Sequence, residues 1–272
     1  MSIVTFWSNE NIETGQTMSM ASVATYLAIE HNFKILMINT AFNDPTIEDG
    51  FWQQNKKRIV KAKQDIATGL KGLVMAIPGN KDNPGIITNY TKIIFKNRLE
   101  LLTGDNLTIE EYERQQDSIT DIIALANKYY DYVFVDLKGS IEDDTVSKIL
   151  EMSNVNVINL TQRLRNINNY LQLREEQKVL QKNNTMILIG NYNPRSAKYT
   201  TRNIARYMKE KQIYNIPFNN MFFESSNEGL IADFFIKFRK IKNTNPNVGF
   251  MESTKEVSTA IINKIKELQM RI

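Results

Sequence analysis

Ten residues between Trp7 and Met18, Ser8-Asn9-Glu10-Asn11-Ile12-Glu13-Thr14-Gly15-Gln16-Thr17, are the first place to look for chemistry. They separate a short β-branched and aromatic run, Ile3 to Trp7, from a segment whose apolar residues Met20, Val23, Ala24, Leu27 and Ala28 recur at helical spacing. A loop that opens a helix in this way presents free N–H groups and the positive end of the helix dipole to an anion. The full phosphate-cradling form is G-x-x-x-x-G-K-[ST]. Gly15 and Thr17 keep two of its four defining positions, while Glu10 stands for the first glycine and Gln16 for the lysine. Gly15, Gln16, Thr17 and Met18 are therefore the candidate phosphate contacts. Thr17 is also a candidate magnesium ligand, although it reads equally as a helix-start residue. Asp136 closes the run Tyr132-Val133-Phe134-Val135; it can hold a metal ion through water or simply cap the turn that follows.

Other chemistries are closed by composition. With no cysteine, the chain has no disulfide, thiolate metal site or iron–sulfur cluster. Its single histidine, His31, cannot build a histidine metal site or a conventional triad alone, and its position at the end of a helical segment explains it. At 272 residues, with 42% hydrophobic and 24% charged residues, the chain has the composition of a globular protein with one substantial core. No signal-peptide pattern opens it, and no apolar stretch reaches the roughly 18 residues of a membrane span. The expectation is a cytoplasmic protein. A net charge of +4 permits nucleic-acid contact without requiring it.

Strand-like and helix-like segments alternate along the whole length. Strands are predicted at 3–7, 34–39, 98–104, 132–136, 155–160, 185–190 and 214–218. Helices are predicted from about 20 to 31 (with Asn32 as a left-handed stop), and over 46–77, 110–130, 145–152, 167–182, 202–210, 228–238 and 253–272. Parallel neighbours need crossovers, so this alternation predicts an α/β fold: a doubly wound, mostly parallel sheet flanked by helices, in a single domain over 1–272. In such sheets ligands bind beyond the carboxyl ends of the strands, where Gly15, Asn39 and Asp136 all fall.

The order of several segments resembles the ParA/MinD group of P-loop ATPases. They are Asn11-Ile12-Glu13-Thr14-Gly15-Gln16-Thr17-Met18, Ile38-Asn39-Thr40-Ala41-Phe42, Tyr130-Asp131-Tyr132-Val133-Phe134-Val135-Asp136, Ile189-Gly190-Asn191-Tyr192 and Ile216-Pro217-Phe218-Asn219. The resemblance spans residues 2 to 219 and looks nearest to the branch of the TadZ and CpaE pilus-localisation proteins. It implies ATP and Mg2+ as ligands, with Asn191 and Pro217 beside the adenine. It also implies where this chain departs from the pattern. Gln16 stands for the lysine that neutralises the β- and γ-phosphates, Asn11 for the lysine that reaches the partner's nucleotide, and Asn39 for the aspartate near the attacking water. Phosphoryl transfer is positioning plus charge neutralisation, so little or no hydrolysis follows, and any nucleotide binding is weak. Glu10 and Glu13 add charge of the wrong sign, at up to about 4 kcal/mol per contact at ~4 Å.

The resemblance further implies a homodimer working through protein contacts in a larger apparatus, as a positioning or scaffold component. The competing readings are an active ATPase in DNA partition or cell-site placement, with Lys138 supplying the missing charge, and a nucleotide-independent DNA-binding protein. The last rests on basic clusters at Lys56-Lys57-Arg58 with Lys61 and Lys63, at Arg195, Lys198, Arg202 and Arg206, and at Lys237, Arg239, Lys240 and Lys242. Such clusters are more often solvated faces. In the C-terminal helix, Val257, Ile261, Ile265, Leu268 and Ile272 form one stripe; the mixed charge of its other face predicts docking on the core in preference to a membrane.

Overall fold

The computed structural model describes residues 1–10, 14–52, 69–80, 83–104, 108–241 and 244–270. Eight strands form one sheet: β1 Ser2–Trp7, β2 Ile35–Asn39, β3 Lys92–Phe95, β4 Leu99–Leu102, β5 Tyr132–Leu137, β6 Val155–Leu160, β7 Thr185–Tyr192 and β8 Tyr214–Pro217. Their order across the sheet is β3-β4-β2-β5-β1-β6-β7-β8. Every pairing is parallel except that of β3 with β4, which is antiparallel. The chain leaves β1 toward one edge, returns through β5, and then crosses to β6 on the other side of β1. The carboxyl end of β1 is thus the switch point at which such sheets open a crevice.

The central strands are buried on both faces, which fits the near-continuous apolar runs of β1, β2 and β5; in β6 Asn156 and Asn159 are buried as well. Ile3, Trp7, Leu36, Ile38, Val133 and Val135 belong to one core; Val4, Phe6, Ile35, Met37 and Phe134 belong to the other. The first core is closed by helices α3 Gly69–Ala76, α4 Ile109–Ala126, α5 Asp144–Met152, α6 Leu164–Glu176 and α7 Thr201–Met208. The second lies under α1 Gln16–Glu30, α2 Thr46–Phe51, α8 Asn220–Asn227, α9 Ile231–Phe238 and α10 Val248–Gln269. On that side Phe222, Phe234, Phe235 and Phe250 pack ring against ring, with centroids 4.7 to 6.2 Å apart.

Several boundaries differ from the sequence reading. Helix α1 ends at Glu30, and the residues after it stay extended, with His31 at φ −126° and Asn32 absent from the left-handed positions. The stretch 46–77 is two separate helices in its described part, while 53–68 lies outside the described residues, as do Lys56, Lys57, Arg58, Lys61 and Lys63. Strand β3 escaped the sequence reading because its apolar run, Ile93-Ile94-Phe95, is short and bounded by lysines; it sits half-exposed at the sheet edge. Helix α8 escaped it because Glu224-Ser225-Ser226-Asn227 reads as a loop; Asn219 starts the helix by accepting from the Phe222 N–H at 2.8 Å. The C-terminal helix begins at Val248 instead of 253, and Ile272 lies outside the described residues. Its stripe docks on the core, with Val257, Ile261 and Ile265 buried.

Candidate nucleotide site

Asp136 sits opposite Phe6 of β1 and Asn39 of β2, so the carboxylate lies among three strand ends and is fully buried. A buried charge must be met by donors. Thr17 Oγ1 donates to Asp136 Oδ2 at 2.6 Å, and Gln16 Nε2 donates to Asp136 Oδ1 at 2.6 Å. The same Gln16 nitrogen lies 3.0 Å from the Phe6 carbonyl and 2.9 Å from the Leu137 carbonyl. An amide nitrogen has two protons, and here they are shared among three acceptors, all beneath the helix start. The first two residues of α1 are therefore tied down into the sheet.

Lys138 completes the cluster. Its Nζ lies 2.9 Å from Thr17 Oγ1 and 3.4 Å from Asp136 Oδ1, and its side chain keeps 23% of its exposure. The backbone beneath is pinned: the Lys138 N–H donates to Thr40 Oγ1 at 3.0 Å, and that hydroxyl donates to the Asp136 carbonyl at 3.2 Å. Thr40 was not among the site residues read from sequence; its place one residue after a strand that pairs with β5 is the signal that could have found it. Its carbonyl accepts from the Tyr112 hydroxyl at 3.3 Å. Burial, and then the charge of Asp143, raise the Tyr112 pKa and keep that hydroxyl a donor.

Gly15 takes a left-handed conformation, φ +66°, and no side chain caps the helix it opens. By contrast Thr108, Asp143, Thr200 and Asn219 cap α4, α5, α7 and α8. The end of β7 presses on this corner. A Cβ on Gly190 would sit 2.0 Å from the Thr14 carbonyl oxygen, and one on Gly15 would lie 3.1 Å from the Asn191 nitrogen. Asn191 is itself left-handed, φ 47°. Gly15, Met18, Asn191 and Pro217 line one cleft with Phe218 and Phe222, where the resemblance places the adenine. Its volume is about 40 Å³, against about 300–1,000 Å³ for an ordinary small-molecule pocket.

The remaining predicted groups stand apart. Asn39 is used locally, donating to the Asp44 carbonyl at 2.9 Å and accepting from the Ala41 N–H at 2.9 Å. Glu10 leans away to Asn169 of α6, with Asn169 Nδ2 3.4 Å from Glu10 Oε1, so it is not set against the cradle. Asn11, Ile12 and Glu13 lie outside the described residues. His31 stacks on Phe33 with centroids 5.1 Å apart, far from any ligand role. Arg195, Lys198, Arg202 and Arg206 are exposed on and before α7; Lys237 in the last turn of α9 and Lys240 just after it are exposed, and Arg239 between them pairs with Glu30 at 2.8 Å. Lys242 lies outside the described residues. Among the described residues, no helix is long and apolar enough to cross a membrane, and no group of three or more His, Cys, Asp or Glu side chains could hold a metal ion.

No family model and no curated protein matches this chain by sequence. Solved structures do match in shape. A ParA family ATPase from Chlorobium tepidum is 18% identical with a TM-score of 0.72, covering 95% of this chain and 98% of its own. The septum site-determining protein MinD from Pyrococcus horikoshii, complexed with Mg-ADP, is 13% identical with a TM-score of 0.68, covering 97% and 98%. MinD from Aquifex aeolicus, solved as a MinC:MinD cell division complex, is 14% identical with a TM-score of 0.64, covering 95% and 96%. With a sheet of this order and a likeness that runs the length of both chains, the protein has the fold of the ParA/MinD P-loop ATPases.

Proposed function

We propose that this protein is a cytoplasmic ParA/MinD-like positioning or scaffold component with a degenerate nucleotide site and little or no ATP hydrolysis. The observation that carries the reading is the direction of Gln16. Its amide is spent on the Phe6 and Leu137 carbonyls and on Asp136. It is uncharged, and it points into the strand ends beneath the helix start. Removing a charge clamp of this kind from a phosphoryl-transfer site costs orders of magnitude in rate, because charge stabilisation is most of the catalysis. The narrow cleft beside Asn191 and Pro217 supports weak binding of the base. Function then rests on surfaces: a homodimer that recruits other proteins, as MinD of Aquifex aeolicus is found with MinC.

The test is phosphate release from ATP and Mg2+ by purified protein. The expected outcome is no release above buffer; turnover typical of partition ATPases would overturn the reading. One observation favours a rival, an active ATPase in partition or cell-site placement: Lys138 brings a positive charge to Thr17. In that case turnover is measurable and Lys138→Ala abolishes it. For the DNA-binding alternative the exposed cluster at Arg195, Lys198, Arg202 and Arg206 supplies only charge, and binding through it would vanish between low and physiological salt.

A further inference from the structure

A divalent ion is the partner of phosphate in the MinD of Pyrococcus horikoshii, which was solved with Mg-ADP. The residues of this chain do not fit one. Magnesium needs near-octahedral oxygen ligands at about 2.0–2.1 Å. The two oxygens best placed to serve it or its waters are Thr17 Oγ1 and the Asp136 carboxylate. The Thr17 proton goes to Asp136 Oδ2, and a lone pair of the same hydroxyl faces the Lys138 ammonium at 2.9 Å. Asp136 Oδ1 receives the Gln16 amide at 2.6 Å and the Lys138 ammonium at 3.4 Å. A metal ion bonded to Thr17 would lie against that ammonium, charge against like charge, with the carboxylate already engaged.

We propose that the Lys138 ammonium takes the place of the divalent ion, so that the site accepts the phosphates of a nucleoside di- or triphosphate without metal. This rests on the reading of the site as a degenerate nucleotide cradle. An ammonium has three protons. One is directed at Thr17 Oγ1, the charge lies 3.4 Å from Asp136 Oδ1, and a further proton is the one that an incoming phosphate oxygen would accept. The side chain enters from the open side, at 23% exposure, whereas Asp136 is fully buried, so the charge stands between the carboxylate and the ligand. The pinned Lys138 backbone, held through Thr40 Oγ1, keeps it there.

Calorimetric titration with ADP and with ATP, in EDTA and in excess Mg2+, tests this on the whole chain and on Lys138→Met and Lys138→Arg, each first shown to melt cooperatively. The wild type is expected to bind with affinities in the two media that agree within about two-fold, and Lys138→Met to weaken binding in EDTA by about ten-fold. Lys138→Arg, which keeps the charge, is expected to retain binding in EDTA. Tighter wild-type binding in Mg2+ by about ten-fold or more, or unchanged binding by Lys138→Met, would overturn the proposal. So would the absence of binding in EDTA, which would reduce Lys138 to a counter-charge for Asp136. None of these three results touches the pseudo-ATPase reading, which only hydrolysis can overturn.

Discussion

Asp136 is fully buried, and three side chains answer for its charge: the amide of Gln16, the hydroxyl of Thr17 and the ammonium of Lys138. Taking one away leaves a buried carboxylate short of donors, and a hydrogen bond to a charged group is worth about 1.5–3 kcal/mol. Gln16→Ala removes such a bond together with those to two carbonyls. It should destabilise the fold by about 2–3 kcal/mol, read as a lower urea midpoint at unchanged slope. Midpoints that coincide with those of the wild type would mean that the amide is not holding the helix start to the sheet. At this scale the sequence was informative about place and silent about direction. Thr17 and Asp136 could be located because one lies in the first turn of a helix and the other near the end of a strand. Nothing in a Gly-Gln-Thr string says that the glutamine turns inward, since that depends on strand ends far away in sequence. The reach of Lys138 depends in the same way on Thr40, which no motif marks.

At the scale of elements, the corner between α1 and β7 is set by close backbone approach. Gly190 has no room for a methyl group beside the Thr14 carbonyl, at 2.0 Å from the would-be Cβ, whereas a Cβ on Gly249 in α10 meets nothing within 4 Å. Gly190→Ala should therefore lower stability by about 1–3 kcal/mol, as overpacking does. Gly249→Ala should be neutral or raise stability by up to about 1 kcal/mol through helix propensity. Thermal melts of the pair separate the two effects, and equal melting temperatures would contradict the packing of β7 on the loop. Central strands were legible because both of their faces are covered, which leaves them rich in apolar and β-branched residues. The edge strand β3 and the polar-ended helix α8 were not, because an exposed edge and a short capped helix look like loops in one dimension. Asn191 and Pro217 could be named from their neighbours in the chain, but the narrowness of their cleft belongs to the packing of Phe218 and Phe222.

For the whole molecule, the doubly wound order follows from alternation of strands and helices plus the rule that parallel neighbours need crossovers, so the architecture was readable before any contact was known. The C-terminal helix shows how far such reading goes. Its apolar stripe was evident, and the structure spends it on the core, burying Ile261 fully among the residues beneath α1 and α9. Ile261→Ala should cost about 2–5 kcal/mol, as for a buried aliphatic elsewhere, and a loss under about 0.5 kcal/mol, typical of a surface change, would mean that the helix is only loosely attached. A helix committed to the core is not free to leave for a membrane.

Single-turnover hydrolysis of γ-labelled ATP, with the protein in large excess and Mg2+ present, bears most directly on whether this site can do chemistry, because it removes both weak binding and slow product release from the rate. The arrangement of Gln16, Thr17, Asp136 and Lys138 predicts label release at the rate of buffer alone. Release above that rate, lost on Lys138→Ala, would contradict it and would make Lys138 the missing catalytic charge.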